Sequence, residues 1–148
     1  MEHRFETFTI LINRISRSIR RIKNNEMAEY GLRSVHISCL YYLYLTDGLT
    51  ATELCERCEE DKATISRALD FLEHNGYITC QSKSIKRYRA ALYLTPHGRQ
   101  AGQQIASKID RVLELIRDSL TESEREIFYR SLTRISQSLD GMTAGIDL

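Results

Sequence analysis

The chain has 148 residues, 42% of them hydrophobic, with one proline, seven glycines and a net charge of +1. That apolar content suffices for one folded domain and excludes a disordered chain or one strung on Pro- or Gly-rich linkers. No stretch reaches the roughly 18 apolar residues of a membrane span. The start, Met1-Glu2-His3-Arg4-Phe5, has neither a secretory apolar core nor a cleavage site. The chain therefore reads as cytoplasmic, with no membrane partner, and its four cysteines as reduced thiols.

Charge is unevenly distributed. Residues 1–25 hold six Lys or Arg against two acids, and residues 62–97 again hold six against two. Between them, residues 50–61 hold five acids and one arginine. Clustered cations in a nearly neutral chain are the electrostatic footprint of a nucleic-acid-binding surface.

In chain order, Phe5, Phe8, Ile12, Ile15, Ile19 and Ile22 recur at alternating spacings of three and four. They predict a long first helix with a narrow apolar seam. The seam either packs within the chain or meets a partner helix. Ser34 is placed to cap a second helix, apolar nearly all round, that ends at Asp47-Gly48. Residues 52–58 form a short third helix with Leu54, Cys55 and Cys58 inward. Asp61 caps a fourth helix that Asn75-Gly76 closes. Residues 77–80 and 90–94 read as two strands of a hairpin. Thr95-Pro96 opens a fifth helix, with Thr as cap and Pro at its first position. Thr121-Glu122-Ser123-Glu124 is a capping box for the last, which carries Phe128, Leu132, Ile135 and Leu139.

The fourth helix holds the most information. At 100° per residue, Ile65, Ala68, Leu69 and Leu72 share one face, and Ala63, Arg67, Asp70 and His74 the opposite one. A short helix followed by a turn, then this helix, then a cationic hairpin, predicts a winged helix-turn-helix. Residues near the start of such a helix enter the major groove first. Lys62, Ala63, Thr64, Ser66 and Arg67 are thus the DNA-contact candidates. Arg67 suits guanine O6 and N7, and Ala63 suits a thymine methyl. The plainer alternative is a solvated helix face, and the neighbouring hairpin argues against it. That hairpin carries Lys83, Lys86, Arg87 and Arg89, which suit phosphates or a narrow minor groove.

Three stretches carry a family resemblance. They are Leu49-Thr50-Ala51-Thr52-Glu53-Leu54, residues 62–78 from Lys62-Ala63-Thr64-Ile65-Ser66-Arg67 to Asn75-Gly76-Tyr77-Ile78, and Leu92-Tyr93-Leu94-Thr95-Pro96-His97-Gly98. From Phe5 to about Leu139 the chain resembles the MarR/SlyA family of bacterial winged-helix regulators. The resemblance implies a mainly α fold with a small β-hairpin, in which residues 34–95 form the DNA-binding lobe. Residues 1–33 and 96–148 form a helical dimerisation region. It implies a homodimer on a pseudo-palindromic operator in double-stranded DNA, with Phe5, Phe8, Ile12, Ile15, Ile19, Phe128, Leu132 and Ile135 at the dimer interface. It implies a ligand-responsive repressor, with Tyr30, His36 and Cys39 near a pocket for a small aromatic effector. The family's usual acid–arginine pair in the wing is missing here, where the tip reads Lys83-Ser84-Ile85-Lys86-Arg87-Tyr88-Arg89. Arg87, or next Arg89, takes the minor-groove role.

Cys55-x-x-Cys58 admits a second reading, a thiol-based redox sensor, beside plain core packing. No second Cys pair or close His pair completes a zinc set, so neither metal nor cofactor is expected. Nucleophile elbow, phosphate loop and His-Glu-x-x-His are all absent from the sequence, so an enzyme is not expected either.

Overall fold

The structure, a computed structural model, describes residues 4–81 and 89–144. The elements are α1 (Arg4–Glu26), a single 3-10 turn (Ala28–Tyr30), α2 (Ser34–Leu45), α3 (Ala51–Cys58), α4 (Lys62–His74), β1 (Ile78–Cys80), β2 (Leu92–Leu94), α5 (Pro96–Asp118) and α6 (Glu122–Ala144). The order is the one expected, with some boundaries moved.

Helix α2 is the hub, burying His36, Ile37, Cys39, Leu40 and Leu43. Against it pack α3 through Ala51 and Leu54, and α4 through Ile65, Ala68, Leu69 and Leu72. The apolar face of α4 is thus the one its periodicity marks. Met27, Leu32, Leu49, Tyr77, Ile78, Leu92 and Ile105 join them in the core.

Ser34 does not cap α2; it is the first helical residue. Its N–H donates instead to Oδ1 of Asn24 on α1, at 2.8 Å. The Arg33 N–H donates to Nδ1 of His36, at 3.0 Å. The donors left over at the helix start are therefore satisfied partly from another helix, which local sequence cannot reveal. Helix α3 begins one residue earlier than its apolar pattern suggests, because Thr50 and Glu53 close a capping box. The Thr50 N–H donates to Glu53 Oε2 at 2.7 Å, and the Glu53 N–H to Thr50 Oγ1 at 3.3 Å. Glu59 then turns the chain in the left-handed region, at φ 53°.

The hairpin is shorter than expected, with Ile78 opposite Leu94 and Cys80 opposite Leu92. The lost length is made up by the turn before α3. Leu92 donates to the Leu49 carbonyl at 3.0 Å and accepts from the Gly48 N–H at 3.2 Å. Thr95 caps α5 as expected, accepting from the Gly98 N–H at 3.0 Å. Its own hydroxyl donates to the Gly76 carbonyl at 2.6 Å. One side chain thereby joins the end of α4, the strand and α5.

The chain divides into two compact units, Met1–Lys108 and Ile109–Leu148. In the first, α5 lies close to α2: a Cβ on Gly102 would come within 2.8 Å of Tyr44 Cβ. Lys108 reaches back to Glu26 at the end of α1, at 3.1 Å. In the second, α6 starts at the expected capping box, where the Thr121 N–H meets Glu124 Oε2 at 2.8 Å. No residue of 109–144 is buried.

Candidate nucleic-acid interface

The start of α4 is an exposed corner that carries Lys62 and Arg67. Asp61 caps it, its Oδ1 accepting from the Thr64 N–H at 2.7 Å. That bond, joined by one from the Thr64 hydroxyl, holds the Asp61 carboxyl below its usual range. Lys62, Ala63 and Arg67 are exposed, and Thr64 and Ser66 are half-buried. All five candidate contacts therefore lie on the first two turns of one helix, and Ser66 borders the shallow cleft between α3 and α4 with Ala51, Thr52, Cys55, Lys62, Ile65 and Leu69. Arg67 folds back along the helix, its Nη2 donating to Thr64 Oγ1 at 3.3 Å.

In the wing, Arg89 is exposed, immediately before Ala90, which is buried. Lys83, Lys86 and Arg87 lie outside the described residues.

The three residues assigned to an effector pocket meet three different neighbours. His36 is nearly buried and stacks on Phe71 of α4, centroids 4.3 Å apart. Cys39 is fully buried, and the Cys58 thiol on α3, with burial, pushes its own thiol up. Tyr30 is exposed, and its hydroxyl donates to Gln104 Oε1 on α5 at 3.4 Å.

All four cysteines are free. Cys58 is held below its usual range by the Cys39 thiol, with help from the Lys23 ammonium. Burial pushes the Cys55 thiol up. The Cys55–Cys58 redox reading finds no support here: the thiol that lowers Cys58 is Cys39, one helix away, and Cys55 is biased toward the less reactive protonated form. Among the described residues no three His, Cys, Asp or Glu gather where they could hold a metal ion. No described helix is long and apolar enough to cross a membrane.

The seam residues of α1 are exposed, among them Phe8, Ile12, Ile15 and Ile19. The side chain of Phe5 lies outside the described residues. In the second unit Phe128 and Ile135 are exposed and Leu132 is half-buried.

Sequence reading missed the link from Asp61 through Thr64 to Arg67. Its signal is present, since the three polar residues follow one another at every third position. It also missed Phe71, which contacts the core histidine through a ring that helical periodicity places beside the apolar face.

The winged helix DNA-binding domain family matches residues 35–113. The HTH-type transcriptional regulator YybA of Bacillus subtilis is 25% identical over 133 residues, covering 87% of this chain and 86% of its own. Among solved structures, that of MarR is 27% identical, covers 93% of both chains and superposes with a TM-score of 0.72. A DNA complex of MepR from S. aureus, 23% identical, covers 89% of this chain and 97% of its own, with a TM-score of 0.79. The chain belongs to the winged helix DNA-binding domain family and is a MarR-like DNA-binding transcriptional regulator.

Proposed function

We propose that this regulator is a homodimeric, ligand-responsive repressor that reads a pseudo-palindromic operator in double-stranded DNA. The observation that carries the proposal is the split of α4. Its apolar residues are locked into the core, and Lys62, Ala63 and Arg67 stand exposed at the end that enters a major groove first. Thr64 and Ser66 flank them, and Arg89 and the other wing cations neutralise phosphates beside the groove. A second copy of the chain places the two reading helices about one helical turn, ~34 Å, apart. Its natural seat is the exposed apolar residues of α1 and of the second unit, which a lone chain leaves in water. Residues 1–33 and 96–148 would then serve assembly, and residues 34–95 would serve DNA.

Enrichment of a double-stranded DNA pool by the full-length protein tests this. An inverted repeat is expected, with an affinity that falls steeply as salt rises. Arg67→Ala should cost about 1–3 kcal/mol and relax choice at one base pair per half-site. An equal loss on all sequences removes Arg67 from base reading. For the effector, Tyr30, His36 and Cys39 remain the residues to vary. Salicylate, as an aromatic acid probe, should weaken operator binding, and Tyr30→Ala should blunt that response.

A further inference from the structure

We infer that Thr64 is a positioning residue for Arg67: its hydroxyl aims the guanidinium at the DNA and donates to no base itself. The inference rests on the DNA-reading function proposed above and assigns the source of its specificity.

Asp61, Thr64 and Arg67 form a polar ladder across the first two turns of α4. Asp61 Oδ1 accepts from the Thr64 N–H at 2.7 Å, and Asp61 Oδ2 from the Thr64 hydroxyl at 3.2 Å. Thr64 Oγ1 accepts in turn from Arg67 Nη2 at 3.3 Å. A hydroxyl has one proton and two lone pairs. Here the proton is given to the carboxylate and one lone pair takes the guanidinium, so no donor remains for a purine N7 or O6. The half-buried side chain of Thr64 has little freedom to swing away.

Arg67 keeps the opposite balance. A guanidinium carries five N–H donors in a rigid fork, and one is engaged. The bidentate grip on guanine needs two. A long, exposed arginine loses rotamer freedom when it binds. A contact already present in the free protein reduces that loss and fixes the direction of approach. Asp61 supplies the polarisation. By taking the hydroxyl proton, its charge strengthens the hydroxyl as an acceptor.

The test uses full-length protein and the site enriched from a double-stranded DNA pool, with every single-base variant of that site measured for binding. Thr64→Val keeps the shape and removes the hydroxyl; Thr64→Ala removes it without branched bulk; Thr64→Ser restores it. Both hydroxyl-free variants should lower discrimination about threefold to tenfold at the base pair that Arg67→Ala affects, and at no other. Thr64→Ser should keep wild-type discrimination. In the Arg67→Ala background, Thr64→Val should change nothing further. Thermal melts of each variant separate these effects from lost stability, which would lower binding to all sites alike.

Lost discrimination at a different base pair would make Thr64 a base reader and overturn the inference. So would a uniform loss, or no loss, in the two hydroxyl-free variants. If wild-type protein enriches no sequence, the operator-reading function fails as well. An enriched site with unchanged Thr64 profiles sinks only the positioning role.

Discussion

Gly98 leaves no room for a side chain. A Cβ there would collide with the Tyr77 carbonyl oxygen, and that oxygen is fixed because it accepts the Thr95 N–H at 3.0 Å. Gly98→Ala should therefore destabilise the fold by about 3 kcal/mol, read as a lowered denaturant midpoint. His36 sets a pH dependence. Its Nδ1 accepts from the Arg33 N–H, which requires the neutral ring. Burial, and then the Arg33 charge, hold its pKa below the ordinary 6.5. The unfolded chain thus binds a proton where the folded chain does not. Stability from this group is complete above about pH 6.5 and is lost as pH falls from there toward the lowered folded value. Urea titrations at about pH 7 and about pH 5.5 should show the loss. His36→Asn, whose Oδ1 takes the place of Nδ1 and can accept the same bond without titrating, should flatten it.

Among the elements, α4 and α5 meet through one threonine. Thr95 caps α5 by accepting from Gly98 and ties it to the chain leaving α4 by donating to Gly76. Thr95→Ala removes both, at a cost of about 1–2 kcal/mol in chemical denaturation. The cost should exceed that of removing an isolated cap of the same type, Thr121→Ala, because Thr121 serves α6 alone. The reading helix keeps its register by the same economy of local contacts. Asp61 holds its first turn, and the Tyr77 N–H donates to the Leu72 carbonyl at 2.8 Å beyond its last. Gly76 allows that closing turn by adopting φ 74°.

At the scale of the whole molecule, the folded chain leaves much apolar surface uncovered. Ile15 is 50% exposed and Leu115 73%. In the proposed homodimer, a second copy covers such surface. Ile15→Glu with Ile19→Glu should leave the single-chain core intact, because neither side chain lies in it. Sedimentation should then report a monomer where the wild type is a dimer. Operator binding should fall with it, since one reading helix alone grips half a site. A double variant that still sediments as a dimer would place the interface elsewhere.

Much of this was legible in the residues themselves. The caps at Asp61, Thr95 and Thr121, the stop at Asn75-Gly76 and the buried face of α4 follow from local chemistry. They depend on hydrogen bonds and spacings within a few residues of one another. The exposed face of α4 was legible for the same reason: helical geometry alone opposes Arg67 to Ile65. The cap on α2 was not, because half of it comes from Asn24 on another helix. Nor was the group that tunes Cys58, because the near cysteine in sequence, Cys55, is not the one that lowers it. The short strands were overextended by pattern, since Leu92 divides its bonds between β1 and the turn at Gly48-Leu49. Sequence by itself determined the order of the helices and the buried face of α4, because propensity, capping and periodicity act over a few residues. Only the tertiary structure decided which distant groups satisfy one another, because a donor or thiol takes whichever partner packing brings within reach.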